Sequence, residues 1–143
     1  MPILVLLVVA GTAAACASRE APGPPAAGAR SAWALDKEPI PRSLEEALEA
    51  LQRGLGEPTI ARLRIAEEDV AITLVPTLGR WMQEHWGLAT GGPLAQYFEA
   101  RGLDRPDDMA AVILTSLWRT LHYRSIRVDE QIAWYRATRG TAP

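Results

Sequence analysis

Met109, Val112, Ile113, Leu117 and Leu121, in a segment opened by Pro106, constrain what this chain can fold into more than any other feature. Side chains three and four positions apart share one face of an α-helix. Proline suits the first helical position, where an amide has no partner to lose. The segment therefore predicts a helix, and its apolar stripe predicts that this helix is the centre of a core.

The rest of the domain follows the same period. Ser43 with Glu46 has the spacing of a capping box, and Leu44, Ala47, Leu48 and Leu51 follow on one face, with Gly54 as a stop. A short helix is predicted over Thr59 to Ile65. A longer one carries Val70, Leu74, Leu78, Trp81 and His85 and ends at Gly87, with a kink expected at Pro76. Pro93 opens a helix bearing Leu94, Tyr97 and Phe98 that stops at Gly102, and Ile126 to Val128 link into a last helix from Asp129, with Ile132 and either Tyr135 or Trp134 turned inward. Alternating runs of β-branched residues are absent, so strands have almost no support. The fold class expected is all-α: a single compact domain of five or six short helices over residues 33–138, with a tail at 139–143.

What precedes the domain speaks to location. Ile3 to Ala10 are nearly all aliphatic and lead through Gly11-Thr12 to Ala13-Ala14-Ala15 and the lone Cys16. A spanning helix needs about 20 apolar residues, so the run reads as a signal peptide, residues 1–15, with a small-residue cleavage site. Ala13-Ala14-Ala15-Cys16 resembles the lipobox of bacterial lipoproteins, although Ala13 stands where leucine is commoner and no Lys or Arg precedes the apolar run. That resemblance implies a lipid on Cys16, a membrane-anchored protein of the cell envelope, and acyl chains that hold the bilayer firmly when two or more are present. Simple secretion is the alternative. A single cysteine excludes an internal disulfide, a Cys-x-x-Cys redox centre and a multi-cysteine zinc site. Residues 16–32, with Ala21-Pro22-Gly23-Pro24-Pro25, read as a tether, because this composition cannot bury enough apolar surface to offset the entropy of ordering it.

The formal net charge of -2 suggests neither nucleic acid nor an anionic membrane surface as a partner. His85 and His122 are the only histidines and lack a His-Glu-x-x-His spacing, so helix capping is preferred for both over metal binding. Asp107 and Asp108 point about 100° apart on a helix and suit its electropositive first turn better than paired acid–base work. The arginines at 119, 124, 127, 136 and 139 are interrupted by Asp129 and Glu130 and read as a solvated face. No serine or cysteine nucleophile has a recognisable context, and no catalytic residue, cofactor or metal is assigned.

Tryptophan is unusually common, at five in 143 residues. Trp81 shares a face with Leu74 and Leu78 and is assigned to the core. Trp86, beside Gly87, and Trp118, one position off the main stripe, are assigned to a surface patch, and with His85 and Arg119 they form the candidate binding surface.

The segments Gly79-Arg80-Trp81-Met82-Gln83-Glu84-His85-Trp86-Gly87-Leu88, Pro93-Leu94-Ala95-Gln96-Tyr97-Phe98, Pro106-Asp107-Asp108-Met109 and Glu130-Gln131-Ile132-Ala133-Trp134-Tyr135 together resemble a family of small bacterial domains of unknown function, over about Pro39 to Tyr135. The resemblance implies a helical fold and an envelope setting, and brings no reaction with it. The function expected is a noncatalytic, protein-binding envelope lipoprotein. The alternatives are a hydrolase of envelope polymers using Glu84, His85 or Asp107, and an inhibitor or immunity-type protein.

Overall fold

The computed structural model describes residues 33–139. The expected signal peptide, the expected tether with Cys16, and residues 140–143 of the expected tail lie outside the described residues. A 3-10 turn, Ala34–Lys37, precedes α1 (Leu44–Gly54), α2 (Glu57–Ile65) and α3 (Glu68–Ile72). A π turn, Val75–Gly79, leads into α4 (Arg80–His85), and α5 (Pro93–Glu99), α6 (Pro106–Leu121) and α7 (Val128–Arg139) complete the order. The fold is all-α, and no strand occurs among the described residues. None of their helices is long and apolar enough to cross a membrane.

The expected central helix is α6, but its burial is more complete than one stripe allows. All ten residues from Met109 to Trp118 are buried, because every other α-helix and the π turn pack around it. A helix without a charged residue over three turns has no face to offer water, and surrounding it is the only stable arrangement. Small side chains let neighbours come close: a Cβ on Gly79 would sit 3.1 Å from the Cβ of Ala110, so the π turn lays nearly bare backbone against α6.

Pro76 does more than kink its segment. It has no N–H to donate and crowds the preceding turn, and the chain widens so that the Gly79 amide donates to the Leu74 carbonyl at 3.1 Å. The stretch expected as one helix from Val70 to His85 is therefore broken into α3 and α4 with the π turn between them.

At the start of α1, Ser43 Oγ accepts the Glu46 amide at 3.3 Å, as the capping-box spacing predicts. The Glu46 carboxylate reaches one residue further than the motif requires and accepts the Arg42 amide at 2.7 Å. α1 ends at Gly54, as expected. The chain then turns at Gly56, whose φ of 74° a side chain would strain, and Gly54 is also a seat for Leu35, whose Cδ2 would lie 2.5 Å from an added Cβ. α7 runs through Arg139, which was expected to open the tail. Its guanidinium pairs with Asp108 at 2.8 Å and with Asp104, fastening the last helix to the start of α6.

Candidate functional site

The residues singled out for a surface do not form one. Trp86 is only 2% exposed and Trp118 only 3%, so both belong to the core. Gly87, at φ 70°, reverses the chain just after α4, and the Trp86 ring turns edge-on to Trp81 at 5.7 Å. Trp118 lies off the stripe but not off the core, since α6 is covered on all sides. Its indole N–H donates to the Ala66 carbonyl at 2.8 Å, His122 stacks on the ring at 3.9 Å, and the Arg124 guanidinium lies 5.0 Å from its centroid.

The two histidines repeat one arrangement. His85 stacks on Trp81 at 4.4 Å with Nδ1 3.0 Å from the Trp81 carbonyl. His122 sits on Trp118 with Nδ1 2.8 Å from that residue's carbonyl. A carbonyl only accepts, so Nδ1 carries the proton in each contact, and each imidazole satisfies a carbonyl in the last turn of its helix. His85 is thus a cap rather than part of a binding surface. Glu84 pairs with Arg80 at 3.5 Å and Asp107 accepts from Gln83 at 2.8 Å, so Glu84, His85 and Asp107 are each engaged by a neighbour of their own. Among the described residues no group of three His, Cys, Asp or Glu is placed to hold a metal.

Arg119 is a brace. Its Nε meets Glu68 Oε1 at 2.5 Å and its Nη1 donates to the Ile126 carbonyl at 2.9 Å, tying α6 to α3 and to the loop before α7. It also lines a groove that the sequence did not reveal.

This groove, about 500 Å³, lies between α3 and α7 over the last half of α6. The register of α7 creates it: Val128, Gln131, Ile132 and Tyr135 fall at helical spacing on the inner face, which leaves Trp134 on the flank, 60% exposed. Across from it stands Ile72 of α3, also exposed. Thr115 and Gln131 line the wall between them. Gln131 is only 9% exposed; its Nε2 donates to the Ile126 carbonyl at 2.7 Å and to Ser116 Oγ at 3.1 Å, whereas its buried Oε1 has no partner. Burial, and secondarily the Asp108 charge, raises the Tyr135 phenol above its ordinary range. Tyr135 therefore borders the groove as a neutral hydroxyl at physiological pH. Glu68, Asp69 and Glu130 supply negative charge around the opening.

Of the expected surface residues, only Arg119 reaches this groove. Gln131, Trp134, Ile72 and Asp69 were not singled out. A signal existed for Gln131, a polar residue at an inward position of the Gln-Ile-x-x-Tyr run. Ile132 and Tyr135, three apart, could likewise have sent Tyr135 inward and Trp134 out.

What the fold defines is an all-α domain built around one enclosed helix. The chain belongs to the DUF6794 family, a domain of unknown function, whose model matches residues 40–121. The match spans α1 to the end of α6 and stops short of Tyr135, so α7 and its side of the groove lie beyond the matched residues. No curated protein and no solved structure matches the chain.

Proposed function

We propose that the protein is a noncatalytic interaction module of the bacterial cell envelope, carried by a lipid on Cys16, whose α3/α6/α7 groove docks another polypeptide. The groove carries this reading. A large aromatic ring left in water across a groove from an exposed isoleucine is an arrangement that burial against a partner would improve. Engagement of Glu84, His85 and Asp107 with separate neighbours favours binding over hydrolysis. Support for the envelope address is Ala13-Ala14-Ala15-Cys16 behind an aliphatic run, and the Ala/Pro/Gly-rich stretch after it, about 15 residues with a contour of ~50 Å if fully extended, would suit a domain that must find its partner away from the bilayer.

The test is photocrosslinking in intact cells with a benzoylphenylalanine replacing Trp134 or, as a control, Tyr123, which is fully exposed but lies outside the groove. Crosslinks to one protein from position 134 and not from position 123, lost from the membrane fraction on Cys16→Ser, are the expected result. Equal products from both positions would defeat the docking reading. An unmodified thiol on Cys16 in the mass spectrum of the mature protein would defeat the anchor.

A further inference from the structure

We infer that the groove receives a basic side chain, arginine or lysine, from a segment of the partner polypeptide that also carries an apolar residue. This rests on the docking reading and adds the chemistry of the occupant.

Two observations point the same way. The lining holds three carboxylates, on Glu68, Asp69 and Glu130, against one guanidinium, and that guanidinium, on Arg119, is occupied by Glu68 and the Ile126 carbonyl. Glu130 shares Arg127 at 3.4 Å, while Asp69 has no ion pair among the described residues. The field at the opening is thus negative and favours a cation. The exposed Trp134 ring, finally, suits a cation on its face or an apolar side chain against it. An acidic segment would meet like charge here, and a purely apolar one would leave Asp69 without a counter-charge.

A random dodecapeptide phage library panned against the full chain tests this. Selected peptides are expected to place an arginine or lysine within two positions of an apolar residue. Asp69→Lys with Glu130→Lys, both at exposed positions, is expected to weaken them about tenfold, as is replacing the peptide's arginine by citrulline. Peptides without a basic residue that are still released by Trp134→Ala would overturn the inference and leave the docking reading standing. Peptides indifferent to Trp134→Ala, or none selected, would overturn both. Free arginine amide competing as well as the peptides would overturn a polypeptide occupant. So would a dimer of the protein that dissociates on Trp134→Ala, since the groove would then belong to a second copy.

Discussion

Trp118→Ala is expected to lower the stability of the domain by about 3–5 kcal/mol, read from urea or thermal unfolding. Two losses combine. The indole fills the space where α6 leaves the core, stacked under His122, and its removal opens a cavity that the surrounding helices cannot close. The Ala66 carbonyl at the end of α2 also loses the N–H that reaches it across 2.8 Å. Small domains are stable by only about 5–15 kcal/mol, so this one substitution removes a large part of the total. Trp118→Phe separates the two losses, since it keeps much of the packing and forfeits the hydrogen bond, at an expected cost of about 1–3 kcal/mol. Unchanged stability for Trp118→Ala would return the residue to the surface where its position off the stripe had placed it.

Trp134→Ala is expected to do the opposite. The ring is mostly in water, so stability should change by no more than about 0.5 kcal/mol. Binding of a groove-seated peptide should fall roughly 30-fold, the loss typical of an aromatic anchor worth about 2 kcal/mol. Isothermal titration beside a melting curve measures both quantities on one preparation. A melting temperature that drops together with affinity would mean that Trp134 supports the fold rather than the contact.

The contrast between these tryptophans shows how far the sequence was readable. Helix starts at Pro93 and Pro106, and turns at Gly87 and Gly102, follow from local sterics and were legible without the fold. Ser43 was legible as a cap for the same reason. The depth at which a residue is buried is a tertiary property, and there the reading failed. Counting one apolar stripe on α6 put Trp118 at an edge, although ten residues without a charge from Met109 to Trp118 already implied a helix enclosed on every side. A place beside a turn glycine predicts a surface position for Trp86, whereas the reversal at Gly87 leaves the ring folded into the core. Pro76 predicts a kink in one helix, and spacing alone does not show that the widened turn also lays Gly79 against Ala110 of α6.

The groove was the least visible feature, because it exists only where α3 and α7, more than 50 residues apart in sequence, flank the same part of α6. Spacing from Ile132 could have chosen Tyr135 over Trp134 for the inner face. Nothing local reveals that Gln131 Oε1 is left without a donor. That follows from how Ser116 and the Ile126 carbonyl together fix the amide.

The most direct measurement is a nitrogen-15 NMR titration of the full chain with a peptide selected as above, following the indole N–H signals. If the α3/α6/α7 groove is the contact surface, the Trp134 indole and the Gln131 side-chain amide move with the peptide, while the indoles of Trp81, Trp86 and Trp118 hold their positions. A saturated complex in which Trp134 is unmoved, or in which the buried indoles respond instead, would contradict it.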